Sequence, residues 1–494
     1  MTREWDLVIV GGGAAGCVMA SRLSEATDRS VLLLEAGPDL RAEMPDDVRD
    51  GRRPTFDHDW GYSSEPDPQG SIRALYRGKL LGGCSSTNAT FALRGHPADY
   101  DGWAAAGNTG WSFADVLPYF CKLETDEDFG WTEWHGSSGP LPIRRYGDHE
   151  LTDVALAGLE ALQECGFPRI PDANEPGAVG LARLPVNACA GERISTALGY
   201  LPPADSRSNL TIRCNAQVAA LILDDARTVG VRLLSGEVIR ASEVVISAGA
   251  YASPALLMRS GIGQAAALRS LDIPVVADLP GVGQNLIDHP AVSIDLLYDR
   301  AVEPVPVFQV AATFHSSAAD SGGPPDLQCM VGGPYEGEAA MFFLGAALLK
   351  PRSRGSLTLR SIDPVAPPRI DLGYFRASGD LDRLLEGLER VREAAQVGAI
   401  KELSGGHQFA PGSEADLRSW VQRKTWTYHH PVGTCAMGVD PSAGAVVDPM
   451  CRVHGISGLR VVDASIMPDI PSANTHLPTI MIAERAAALI DGQA

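Results

Sequence analysis

Hydrophobic residues open this chain in an unbroken run, Asp6-Leu7-Val8-Ile9-Val10, rich in β-branched side chains and stopped by Gly11-Gly12-Gly13-Ala14-Ala15-Gly16. That pattern is a buried strand meeting a tight turn. Small and apolar residues then continue from Ala14 to Leu23 without a breaker, predicting a helix, and Ser30 to Glu35 gives a second buried strand ending in a carboxylate. The three pieces form a βαβ unit. Strand-like runs return at Leu210 to Arg213, Val218 to Leu223, Gly230 to Leu234 and Glu243 to Ser247, and are expected to complete the same sheet.

Between about Ala291 and Leu372 the pattern changes to short alternations of apolar and polar residues, as in Ser293 to Tyr298 and Ser356 to Arg360. Alternation of this kind predicts a second, antiparallel sheet. Helical spacing appears at Ala98 to Ala106, at Ser112 to Cys121 with Ser112 as N-cap, and at Thr152 to Cys165 with Gly166 ending the helix. Asp380 to Ala395 and Thr479 to Ile490 are two further helices, while Pro38 to Tyr76 has little periodicity and reads as an extended connection.

Length and charge narrow the classes. A chain of 494 residues predicts two or three domains, or one large domain with a long insertion. The formal charge of −20 argues against nucleic acid as a partner, which needs a basic footprint. No run approaches the roughly 18 apolar residues of a membrane span. The nine cysteines are scattered, without a CxxC pair or metal-type cluster, and fit a reducing compartment. Met1 to Trp5 leads directly into the first strand with no room for a signal peptide, so a cytoplasmic location is expected. Under that expectation the sequons at Asn88 and Asn209 are coincidental.

Candidate chemistry begins at the glycine loop. Gly11, Gly13 and Gly16 have the GxGxxG spacing that lets backbone N–H groups approach a pyrophosphate, and Glu35 stands 19 residues past Gly16, where a carboxylate meets ribose hydroxyls. The loop alone does not separate NAD from FAD. Two polar clusters follow near the other end of the chain, Tyr428-His429-His430-Pro431-Val432-Gly433-Thr434 and Pro471 to Thr479. By themselves, the adjacent histidines are open to reading as metal ligands, core residues or a catalytic pair.

Other segments resemble the glucose-methanol-choline oxidoreductases, flavoenzymes that oxidise alcohols. Arg77 to Asn88 resembles the family's flavin loop, and Gly249 to Gly263 matches its second signature at every defined position. Asp59 to Tyr62, Pro97 to Asp101, Val282 to Pro290 and Val461 to Ser465 extend the resemblance over most of the chain, leaving about 300–400 without strong markers. It implies an α/β Rossmann-like FAD-binding domain plus an α+β substrate domain with an antiparallel sheet. The FAD-binding parts would be 1–100, 206–290 and 431–494, the last carrying active-site residues. The substrate parts would be 291–430 and, with connecting segments, most of 101–205.

The resemblance also implies roles. FAD would be bound by Gly11, Gly13, Ala14, Ala15, Gly16, Glu35, Ala36, Leu81, Gly83, Asn88, Ala89, Thr90, Phe91, Val218, Asp463, Ala464, Thr475 and His476. Some members attach flavin covalently through a histidine where this chain has Thr87, so a non-covalent cofactor is expected. Cys84 reads as a small packing group. His430 takes the family's base position and Asn474 its partner, with no metal. An extended backbone would point His429 and His430 to opposite faces, only one towards flavin. The implied reaction is oxidation of a small primary alcohol, with electrons passed to O2 or an acceptor such as a quinone. Trp426, Tyr428, Phe342 and Phe343 are candidate aromatic walls favouring benzyl- or furfuryl-type alcohols. The alternatives are a hydroxynitrile lyase or a flavin photodecarboxylase on the same scaffold.

Overall fold

The computed structural model describes residues 4–337, 339–406, 408–409 and 414–493. Its first strand, Glu4–Val10, lies between parallel strands Val31–Leu34 and Val238–Ile246. Leu210–Arg213 adds a parallel strand outside Val31–Leu34, and Leu459–Val461 pairs in parallel with the end of Val238–Ile246. Val218–Asp224 and Arg227–Leu233 fold back as an antiparallel meander on the start of Val238–Ile246. Val31–Leu34 is buried at every position, the burial expected of a continuous apolar run in a parallel sheet.

Helix Ala14–Leu23 covers this sheet and packs on the C-terminal helix His476–Ile490, which is buried continuously from Leu477 to Ala488. A helix apolar on all sides has to lie inside the molecule. Its buried Glu484 is matched by Arg22 at 2.7 Å and by the Tyr200 hydroxyl at 2.8 Å. Among the described residues no helix is long and apolar enough to cross a membrane.

The second sheet is antiparallel, in the order Gln408–Phe409, Pro290–Leu297, Met341–Leu348, Leu327–Tyr335, Phe308–Phe314, Leu181–Arg183. Trp426–Thr427 pairs with the start of Pro290–Leu297. Along that strand Val292, Ile294 and Leu296 enter a core shared with helices Asp153–Glu164 and Asp380–Ala394, while Ser293 and Asp295 face the opposite way. That opposite face roofs the cavity described below.

Two segments pack differently from the sequence expectation. Ser356–Thr358 pairs with Arg369–Asp371 in a two-stranded ribbon separate from the second sheet, and Leu357, Leu359 and Ile370 belong to the first core rather than the second. Trp103, Phe120 and Leu141, which the sequence reading placed in 101–205 with mostly substrate-domain and connecting segments, also lie in the first core. Alternation and amphipathicity show that one face is buried, but not against which sheet.

Candidate active site

A cavity of about 1210 Å³ is lined by loops of the first sheet and by the exposed face of the second. Gly11, Gly13, Ala14, Ala15, Glu35 and Ala36 line it from the first βαβ unit. Gly83, Asn88, Ala89 and Phe91 contribute from the second glycine-rich loop, and Val218, Asp463, Ala464, Thr475 and His476 from later segments. Gly16, Leu81 and Thr90 stand outside the lining. A Cβ on Gly16 would lie 1.8 Å from the Gly11 carbonyl oxygen, so this glycine serves helix-to-loop packing. Leu81 fills the space beside Gly12, and Thr90, at φ 62°, uses its carbonyl to accept from Asn187 N at 2.9 Å.

At one end of the cavity the glycine loops present backbone donors. Gly13 precedes helix Ala14–Leu23 with no side chain capping the first N–H groups, and a Cβ on Gly83 would lie 2.8 Å from Gly13 Cα. Two glycine loops thus leave a backbone-walled cradle that side chains would fill. Glu35 is buried, and its carboxylate accepts from Gly12 N and Gly37 N, both at 2.7 Å. Desolvation raises its pKa while those donors oppose the shift. Asp463 turns its carboxylate to Gly249 N at 2.9 Å and the Ser253 hydroxyl, leaving its backbone to the cavity. The Nε2 atom of half-buried His476 has no partner among the described residues, a donor or acceptor kept free at the wall of a cofactor-sized space. These features fit FAD.

At the other part of the cavity His430 Nε2 lies 3.1 Å from Asn474 Nδ2. Both residues are buried, and Asn474 Oδ1 has no hydrogen-bond partner among the described residues. On the far side of the ring, His430 Nδ1 meets His289 Nδ1 at 3.0 Å with the ring planes 87° apart. Asp288 accepts from His430 N at 2.8 Å and from the Thr427 hydroxyl, which fixes the backbone that carries the ring. Burial, reinforced by His289, Arg77 and His429, holds His430 well below the usual histidine pKa. That direction favours the neutral ring.

His429 departs from the extended backbone expected of it. Its φ is 64°, and Arg77 Nη2 donates to its carbonyl at 2.8 Å. The left-handed turn brings Tyr428, His429 and His430 to one cavity instead of opposite faces. Tyr428 stacks tilted on His430 with centroids 4.5 Å apart and donates its hydroxyl to Gln328 Oε1 at 2.9 Å. Burial and the Arg77 charge push His429 down to about 3.

Of the candidate aromatic walls, Trp426, Tyr428 and Phe343 line the cavity. Phe342 does not: it is fully buried in the second core against Tyr298, because neighbours on a strand face opposite ways. His289, Asp288 and Arg77 are neighbours of the site that spacing did not reveal. Their segments carried the family resemblance, yet nothing local tells that His289 touches a ring 141 residues away.

Glu124, Asp126 and His135 form a group with metal-like spacing, away from the cavity. Arg94 and Arg145 already neutralise its carboxylates, and His135 Nε2 bonds Asp172 at 2.9 Å. Desolvation works against a charge on His135, but Asp126, Asp172 and Glu124 outweigh it and push the imidazole up to about 10. Protonated on both nitrogens, it is an ion-pair donor.

Family models described as GMC oxidoreductase match residues 5–291 and 351–483. A 5-(hydroxymethyl)furfural oxidase of Methylovorus sp. (strain MP688) is 36% identical, with 99% of each chain covered. An oxygen-dependent choline dehydrogenase of Paraburkholderia xenovorans (strain LB400) is 38% identical over 99% of this chain and 95% of its own. The solved structure of a pyridoxine 4-oxidase from Mesorbium loti superposes with a TM-score of 0.92 at 30% identity, covering 99% of this chain and all of that one.

Proposed function

The chain belongs to the GMC oxidoreductase family, and on that premise we propose that it oxidises a ring-bearing primary alcohol to the aldehyde, with His430 as proton acceptor. The family acts on alcohol CH–OH groups with FAD as cofactor, and the cavity here has the donors and space for it. Bound FAD supplies the hydride acceptor. The observation that carries the reading is the His430 Nε2 to Asn474 Nδ2 contact of 3.1 Å at the cavity wall. An alcohol oxygen entering between them accepts from the Asn474 amide and gives its proton to His430 Nε2. The amide stabilises charge growing on that oxygen without competing for the proton.

Trp426, Tyr428 and Phe343 give the substrate side flat apolar walls, which favour a benzyl- or furfuryl-type alcohol. The likeness to a 5-(hydroxymethyl)furfural oxidase supports the same class. Thr87 lines the cavity and has no imidazole for a bond to flavin, so FAD is held by contacts alone, and acid precipitation should leave all flavin in the supernatant.

Anaerobic mixing with a panel of alcohols tests the reading. Bleaching of the flavin band by benzyl or furfuryl alcohols is expected, and His430→Ala should keep FAD yet reduce it at least about 100-fold more slowly. An unreduced flavin in a protein that cleaves cyanohydrins would remove the oxidative reading. Readmitted air distinguishes rapid reoxidation by O2 from a need for a quinone-type acceptor.

A further inference from the structure

The contact between His430 and His289 bears on which imidazole nitrogen carries the proton and on what holds it there. At 3.0 Å between Nδ1 and Nδ1, two bare nitrogens would repel and two N–H groups would clash, so one proton lies between them. Two arrangements satisfy this. With the proton on His289, the His430 ring would carry its own proton on Nε2 and present a donor, not a base, to the cavity. With it on His430, Nε2 is bare and His289 carries its proton on its own Nε2.

Asn474 chooses between them. Its amide nitrogen, a donor only, is the atom nearest His430 Nε2, at 3.1 Å, so that nitrogen is bare and the proton of His430 sits on Nδ1. His289 Nδ1 is then the acceptor, and the proton of this wholly buried ring belongs on its Nε2, which meets no hydrogen-bond partner of standard geometry among the described residues.

We infer that His289 is a positioning residue that locks His430 into the tautomer with Nδ1–H inside and a bare Nε2 towards the alcohol. The inference rests on the reading of His430 as base. When the hydroxyl proton arrives at Nε2, the ring becomes an imidazolium whose Nδ1–H still points at His289 Nδ1. No proton moves on to His289. Its burial and the nearby Lys350 ammonium, itself paired with Asp99 and Asp469, hold it down to about 3, so it remains a neutral acceptor throughout. The logic parallels the orienting partner of a hydrolase histidine, with a neutral imidazole in place of a carboxylate.

Nitrogen-15 labelling of histidine in the FAD-loaded protein reads the tautomer directly, with His289→Asn and His430→Gln used to identify the signals. The expected spectrum has His430 protonated at Nδ1 and bare at Nε2, and His289 protonated at Nε2. A His430 protonated at Nε2 overturns the inference, whatever the variants do. In kinetics, His289→Leu should slow flavin reduction about 100-fold at saturating alcohol with KM kept, because the Nδ1–H of His430 then loses its acceptor. His289→Asn, whose Oδ1 occupies the place of Nδ1, should recover most of that loss. Equal rates in the Leu and Asn variants would also overturn it. An unchanged rate in His430→Ala would instead remove the base assignment while leaving the measured tautomer intact, so the two failures are distinguishable.

Discussion

Arg77 Nη2 donates to the carbonyl of His429 at 2.8 Å, joining the approach to the flavin loop to the histidine turn across 352 residues. A non-glycine residue at positive φ is strained by roughly 1–3 kcal/mol, and a bond from a charged donor contributes about 1.5–3 kcal/mol. The two are comparable, so Arg77 helps to hold the turn, beside the Thr427 hydroxyl that accepts from His429 N at 2.9 Å. The same guanidinium lowers the pKa of His429 and, with burial and His289, of His430. Arg77→Met should therefore slow flavin reduction about tenfold. It should also move the acid limb of the rate to higher pH, because His430 would then protonate more readily. Stopped-flow reduction from pH 5 to 9 checks both; a variant with an unmoved acid limb would show that Arg77 acts on neither ring.

Two glycines of the first loop should fail in different ways. Gly16→Ala places a methyl 1.8 Å from a backbone oxygen, which no rotamer relieves, so the variant should not accumulate as folded protein. At Gly13, by contrast, an added Cβ meets nothing closer than 4.0 Å, and φ is −78°. Gly13→Ala should fold with near wild-type circular dichroism yet lose at least about tenfold in FAD affinity, because the methyl enters the cradle. Flavin titration followed by fluorescence distinguishes this from equal loss in both.

The opening βαβ unit was legible because its determinants are local: a buried strand, three spaced glycines and a carboxylate at the end of the next strand. The pairing of His430 with Asn474 was legible through motif resemblance. His289 was not, since only the sheet that starts at Pro290 brings it under His430. The turn at His429 was equally hidden, because Arg77 and Asp288, which bond its backbone and that of His430, lie far away in sequence, and the local Thr427 hydroxyl that accepts from His429 N does not by itself announce a positive φ. For Phe342 and Phe343 the strand was readable but its register was not, and one position of register exchanges cavity for core.

That exchange gives a paired test. Phe343 meets Phe308 and Tyr335 edge-on at 5.8 and 6.3 Å on the cavity wall. Phe343→Ala should raise KM for a ring alcohol more than for a short aliphatic one. Phe342→Ala should leave that preference unchanged and cost about 3–5 kcal/mol of stability. Reversed outcomes, read by KM ratios and denaturant unfolding, would mean the register is shifted by one.

Buried and half-buried histidines of opposite charge state should give the protein a stability maximum near neutrality. His135 is pushed up to about 10, so the fold binds a proton that an unfolded histidine, at 6.5, has lost. Its stabilisation is complete below about pH 6.5 and fades as pH rises towards 10. His289 and His429, at about 3, and His476, at about 4, are held neutral chiefly by desolvation. For these the unfolded chain binds the extra proton, so their contribution is present above about pH 6.5 and fades as pH falls. Thermal unfolding followed by circular dichroism should peak near pH 6–7. The sharper check is His135→Gln: it should unfold well below the wild type at pH 6, and the gap should narrow as pH rises towards 10. A gap that stays constant across that range would mean His135 is uncharged in the fold, and the ion cluster around it would need a different proton count.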